Sequence, residues 1–337
     1  MKEDFAIIIG INDYTPTNQN GLKTLLGAIN DANRVEDWVS SVTGGNVPTV
    51  NIKKIVSSPA PLKPLQDEID DAFLDIETSI KAKGGLAKRL YFYFAGHGLG
   101  TLDSTKDTGL CLANWSENRR QSALSSESYK DFIVQYGYFE EIIFIADCCR
   151  NTKINIKPKA PTFSSAVPGQ GAGQTKLFVA YATQYQDQSY EVESINSEMR
   201  GAFTTILIEG LKGGAANNGL IGADDLRDYL IKETPELAQK KGYKQIPDVS
   251  HTYANNISLV SIPVVQTNVN FTFEAIRNNP VELIDGELNV IATYDASQNK
   301  NYSRQLPKGL YLLRDSVTDE NKSFQVSSSQ NNFNVNF

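Results

Sequence analysis

Histidine is scarce in this chain of 337 residues, which carries only His97 and His251. That excludes a three-histidine metal site, and the three cysteines, Cys111, Cys148 and Cys149, lack the spaced pattern of a thiol-rich zinc site, so no metal is expected. An odd cysteine count with two thiols adjacent also argues against a disulfide framework and for a reducing compartment. Long Lys/Arg blocks are missing and the net charge is −7, which argues against a nucleic-acid partner. Long apolar runs are missing too. The opening MKEDFAIIIGIND has only a few apolar residues before Asn and Asp, so it suits neither a signal peptide nor a membrane span, and a cytoplasmic location is expected. No phosphate-loop GxxxxGK[ST] or GxGxxG follows the first apolar run, which disfavours a nucleotide-binding domain.

What is present is an alternation of buried-strand and helical patterns from residue 5 to about 250, the mark of an α/β fold with a mostly parallel sheet and helices on its faces. The predicted strands are 5–11, 50–56, 89–96, 141–147 and 176–183. Ala28, Ala32, Val35 and Val39 form one helical stripe, and Ile69, Phe73, Ile76 and Ile80 another. A further helix opens after Gly201 and stops at Gly213-Gly214. Residues 152–175, rich in Pro and Gly, read as a long mobile loop. Residues 99–128 read as polar turns around one strand-like piece, GLCLANW. Beyond about 256 the pattern becomes short alternating runs such as VNFTFEA and GLYLLRD, as in a small antiparallel sandwich. The expected domains are therefore 1–255 and an all-β 256–337.

Two predicted strands end in reactive groups. The third finishes in FAGHG and the fourth in ADCC, so adjacent strand ends could bring His97 and Cys149 together at the carboxyl edge where open α/β sheets bind ligands. Thiol and imidazole are the pair that a cysteine hydrolase needs, with backbone N–H groups to hold the oxyanion. The N–H groups of Gly98 and Cys149 are the candidates. His251, in the polar stretch DVSHTYANN, reads as an ordinary surface or core histidine. Cys111 and Cys148 read as small buried hydrophobes, Cys148 because its side chain alternates away from that of Cys149.

The ordered blocks FAIIIGINDY, LKTLLGAINDANRVEDWV, YFYFAGHG, IFIADCCRN, ATQYQDQSYE and GAFTTILIEGL resemble those of the caspase-like cysteine peptidases (peptidase C14), nearest the metacaspase and bacterial orthocaspase branch. The resemblance covers residues 5 to about 230. It implies a caspase-like fold and a catalytic dyad of His97 and Cys149. It also implies cleavage of protein or peptide substrates after Arg or Lys, with Asp31 and Asp147 in the S1 pocket; two carboxylates can pair with a buried guanidinium. It further implies maturation by self-cleavage in the loop after the nucleophile, where Lys153 and Lys159 are candidates and Arg120 is another accessible site.

The chain departs from that pattern in places. Ala95 stands where some metacaspases have a pocket serine, Arg150-Asn151 follows the nucleophile, and residues 100–128 offer no paired-Asp calcium site, so no cofactor is expected. A monomer is expected, with the carboxyl-terminal β domain available to a partner protein. The rival reading is a catalytically silent caspase-like signalling or scaffold module.

Overall fold

The computed structural model describes residues 3–152, 155–163, 169, 173–194, 196–217, 219–251, 257–261, 266–286, 288–307, 309–326 and 332–337. The chain divides into two compact units, Met1–Ile262 and Pro263–Phe337. The boundary lies seven residues beyond the one read from sequence, because strand Ser258–Ser261 pairs with Leu220–Gly222 and so belongs to the first unit.

In the first unit the strands β1 (Asp4–Gly10), β2 (Ile52–Val56), β3 (Ala87–Ala95), β4 (Phe139–Asp147), β5 (Lys176–Tyr181) and β6 (Asp248–His251) form a six-stranded sheet among the described residues, in the order β6-β5-β4-β3-β1-β2. All pairs are parallel except β5 with the edge strand β6. The central strands are buried on both faces, as their unbroken apolar runs require. Alternate residues serve different cores: Phe92 and Phe144 enter one cluster, Tyr93 and Ile145 the other.

Helices α1 (Ala28–Ser40), α4 (Ala202–Glu209) and α5 (Ala223–Lys240) contribute to the second cluster through residues such as Val35, Phe203 and Leu230. Helices α2 (Gln66–Ala82) and α3 (Ser126–Tyr136) contribute to the first through Ile69, Phe73 and Ile133. Helices thus cover both faces. Phe92 stacks between Phe73 of α2 and Phe144 of β4, at ring separations of 6.0 and 4.6 Å. Truncating such a ring to alanine typically costs about 3–5 kcal/mol.

Two loop readings change. Residues 99–128 contain more than one strand: Gly98–Gly100, Thr108–Cys111 and Ala123–Ser125 make a small antiparallel sheet. The described part of 152–175 is anchored rather than mobile. Ile156 is buried, Lys159 forms a bridge beside Leu124, and Phe163 packs among Phe73, Phe132 and Tyr136. Ile156 and Phe163 belong to no helical or strand period, yet both are buried.

The second unit contains a three-stranded and a four-stranded sheet sharing one core of residues including Phe271, Val281, Leu313 and Val326. It is a sandwich, but not wholly antiparallel: Gln266–Thr272 pairs in parallel with Asn332–Asn336.

Candidate active site

The register of the sheet sets the site. Ala95 and Asp147 are the paired last residues of β3 and β4, and Gly96 N–H donates to the Asp147 carbonyl (3.2 Å). His97 and Cys149 each lie two residues further on, so both emerge at the same edge. They line one cleft of roughly 320 Å³ together with Asp31, Asp147, Ser189 and Glu191.

His97 is fixed by three contacts. Its Nε2 lies 2.7 Å from the Lys23 carbonyl oxygen. A carbonyl only accepts, so Nε2 carries the proton and Nδ1 keeps its lone pair. The Tyr14 ring meets the imidazole edge to face at 4.9 Å, while the Tyr14 hydroxyl accepts from the His97 backbone N–H (2.8 Å). Burial pushes the His97 imidazole below its ordinary range, which favours the neutral form despite the Lys23 hydrogen bond.

Cys149 is partly exposed, whereas Cys111 and Cys148 are buried. Burial pushes both buried thiols up, leaving them protonated and unreactive. The Cys149 Sγ accepts from the Ser189 N–H at 3.4 Å. A Cβ placed on Gly98 would lie 2.5 Å from both the Cys148 Sγ and the Cys149 carbonyl oxygen, so only glycine fits against the Cys148-Cys149 turn. Gly98 pairs with Leu110 at a position where Cys111 N–H donates to the His97 carbonyl. That makes Gly98–Leu110 a non-hydrogen-bonded pair and turns the Gly98 N–H away from that ladder. Gly100 N–H, on the same edge, donates to the Asn151 carbonyl.

The floor of the cleft is acidic. Asp31, in the first turn of α1, accepts from Gly201 N–H through Oδ2 (2.6 Å). Its Oδ1 is buried and accepts no hydrogen bond among the described residues; the Arg34 guanidinium stands 3.6 Å off. Asp147 accepts from the Ser189 hydroxyl (2.7 Å) and from the Thr204 N–H and hydroxyl (3.1 and 2.7 Å). Gly201 lies between the two acids: a Cβ there would be 2.2 Å from Asp147 Oδ2 and 2.9 Å from Asp31 Oδ2. Burial pushes both carboxyls up, Asp31 well above the usual range and further through the nearby Asp147 charge; the donors to Asp147 counteract part of its rise.

Sequence reading did not single out Glu191. It is the register partner of Gly201 in the hairpin Glu191–Glu193/Met199–Gly201, and it accepts from the N–H groups of Leu26 and Gly27 at the start of α1. Its charge raises both aspartates. Glu191 closes the QSYE stretch, where neither period nor spacing marks it. Ser189 and the Lys23 carbonyl also went unmarked, because each acts through loop geometry.

The proposed cleavage residues lie elsewhere. Arg120 sits in an exposed turn with Nε donating to the Glu117 carbonyl. Lys159 has an exposed side chain, but its backbone is engaged: its N–H donates to the Ala123 carbonyl and its carbonyl accepts from Ser125 N–H, both at 2.8 Å. Lys153 lies outside the described residues. His251 contacts Asp224 at 3.0 Å and lines no part of this cleft. Among the described residues no group of three His, Cys, Asp or Glu side chains could hold a metal ion, and no helix is long and apolar enough to cross a membrane.

The chain is similar to several known proteins. A probable protease from a Desulfuromonadales bacterium is 28% identical over 253 residues, a match covering 68% of this chain and 28% of that relative. The chain thus matches only about a quarter of that relative's length. Among solved structures, caspase-1 from Spodoptera frugiperda is 13% identical with a TM-score of 0.46, covering 74% of this chain and 86% of that one. A protein from Geobacter sulfurreducens is 14% identical with a TM-score of 0.49, covering 77% of this chain and 98% of that one. The family model described as the caspase domain matches residues 3–257, and the chain therefore belongs to the caspase-domain family of peptidases.

Proposed function

We propose that the protein is a cysteine endopeptidase that cleaves protein or peptide substrates after Arg or Lys. The observation carrying this reading is the buried Asp31, whose Oδ1 accepts no hydrogen bond among the described residues and has only the 3.6 Å ion pair with Arg34, in a cleft that also holds Asp147, Glu191, Cys149 and His97. Buried carboxylates pushed up by one another are stabilised when a cation arrives, and an Arg or Lys side chain supplies it with hydrogen-bond donors attached. A neutral P1 residue would bring no further cation to these acids beyond Arg34, and an acidic one would add repulsion.

The reaction uses the chain's own groups. The Cys149 thiol gives its proton to His97 Nδ1, and the sulfur attacks the scissile carbonyl carbon, forming a C–S bond. The N–H groups of Gly98 and Cys149 receive the developing oxyanion. The imidazolium then protonates the amine as the C–N bond breaks, leaving a thioester. Water, deprotonated by His97, releases the acid and restores the thiol. The Lys23 carbonyl keeps the imidazole oriented and favours the tautomer with Nδ1 free.

Self-cleavage belongs to the same reading, with Lys153 the preferred site in the post-nucleophile loop and Arg120 the alternative. Cutting after Lys159 would first require peeling away two backbone hydrogen bonds, at about 1 kcal/mol each. The enzyme is proposed to act as a cytoplasmic monomer without a cofactor, its carboxyl-terminal sandwich recruiting a partner protein.

The test is hydrolysis of fluorogenic peptides with Arg, Lys, Ala or Asp at P1, with and without one equivalent of thiol alkylant. Cleavage of Arg and Lys peptides that alkylation stops supports the reading. Absence of turnover with every peptide would leave the silent signalling module as the better account.

A further inference from the structure

A second cavity, of roughly 560 Å³, shares no lining residue with the cleft. It lies against β5 and the edge strand β6, and its volume is within the roughly 300–1,000 Å³ of small-molecule sites. Its walls combine apolar surface from Leu177 and Val179 with the Tyr181 and Tyr185 rings and three cations, Lys106, Lys130 and Arg150. Asp248 is the one carboxylate among the lining residues. This is the reverse of the chain as a whole, whose net charge is −7.

The two lysines are not consumed by the fold, and Arg150 is only partly so. Among the described residues no carboxylate lies within ion-pair distance of Lys106 or Lys130, both of which belong to the wall. Arg150 is buried, with its guanidinium 4.3 Å over the Tyr181 ring. It donates to Thr108 Oγ1, Asp248 Oδ2 and the Thr105 carbonyl, which occupy three of its N–H groups. A guanidinium has about five N–H groups, so two remain without an acceptor among the described residues. His251, also on the wall, is held by Asp224 and Arg227.

We propose that this cavity binds a small organic phosphate bearing a flat ring, of mononucleotide size. A phosphate monoester carries about −1.5 to −2 charges near neutrality, which matches three cations set against one carboxylate; a single carboxylate ligand would leave the site positive. Lysine and arginine supply the charge-assisted hydrogen bonds. Tyr185 and the aliphatic wall offer the ring a surface to lie against.

Isothermal titration of the full chain with 5′-AMP and with inorganic phosphate tests this. Saturable AMP binding is expected, tighter than that of phosphate and weakening as salt rises. The double variant Lys106→Glu/Lys130→Glu should lose about tenfold or more in AMP affinity while its unfolding midpoint stays unchanged. Single variants Lys106→Gln and Lys130→Gln guard against a folding defect in the double one, and each should show a smaller loss. Equal affinity in all these variants, or no saturable heat up to about 5 mM of either probe, overturns the site. Phosphate binding as tightly as AMP overturns the ring-binding half.

Discussion

Ala95 and Asp147 face each other as register partners at the carboxyl ends of adjacent parallel strands, and His97 and Cys149 follow each of them by two residues. A one-residue slip in this pairing would reverse which side chains reach the cleft. Aromatic stacking of Phe92 on Phe144, three residues before these ends, is one of the contacts that pin the register.

Replacing Cys149 with alanine should lower kcat/KM for an Arg peptide by about 10³-fold or more, since the proposed nucleophile is lost. Cys148→Ala should keep most of the activity, because that thiol is buried and protonated. Steady-state kinetics on both variants decide between the thiols; a dead Cys148→Ala that is still folded would reverse the assignment.

On the proposed reading, Asp31 should set the acid limb of the rate profile. Its carboxyl is pushed up in the cleft, and a basic P1 side chain would bind the ionised form, so kcat/KM for Arg peptides should rise with pH through that raised value. His97 is lowered and adds no limb above its ordinary pKa of about 6.5. Asp31→Asn should lose about 10²-fold or more in kcat/KM, because pairing of a buried cation is removed, and should shift the limb. An unshifted limb in the variant would assign the titration to another group.

The same carboxyl should cost stability at high pH. The folded state holds the Asp31 proton more tightly than the unfolded chain, so its contribution falls as pH rises through the folded value. Asp31→Asn should therefore stabilise the protein by about 1 kcal/mol at pH 8 and give no gain at pH 4, as measured by chemical denaturation. Stabilisation equal at both pH values would point to packing instead.

Glu191→Gln should raise KM for Arg peptides by about three- to tenfold with kcat retained, the pattern of lost ground-state binding. It should also move the acid limb to lower pH, because the Glu191 charge raises both aspartates. A fall in kcat with KM unchanged would place Glu191 in the chemistry rather than the pocket.

Incubated wild-type protein should yield fragments whose new carboxyl terminus is Lys153 or Arg120, while Cys149→Ala stays whole. Intact-mass spectrometry reads both. A first product ending at Lys159 would show that its two backbone hydrogen bonds do not protect it.

The parallel core was legible because buried strands leave continuous apolar runs, such as IIFIA, and helices leave stripes such as Ala28, Ala32, Val35 and Val39. The anchoring of 155–163 was hidden. Ile156 and Phe163 are isolated apolar residues in a Pro-rich stretch, and only the space beside Gly109 and Phe73 gives them meaning. Glu191 was hidden for a related reason: the hairpin that carries it to the start of α1 leaves no periodic mark.

Sequence by itself determined the five parallel strands of the core, the helices Ala28–Ser40, Gln66–Ala82 and Ala202–Glu209, the order of the blocks and the placement of His97 and Cys149 just beyond strand ends, since these follow from local patterns of burial and chain reversal. Only the tertiary structure decided which carbonyl orients the imidazole, that Gly201 separates two buried carboxyls, and that a third acid joins them. Those relations join residues about 70 to 170 positions apart, and the hydrogen bonds and desolvation that define them exist only once the chain has closed around the cleft.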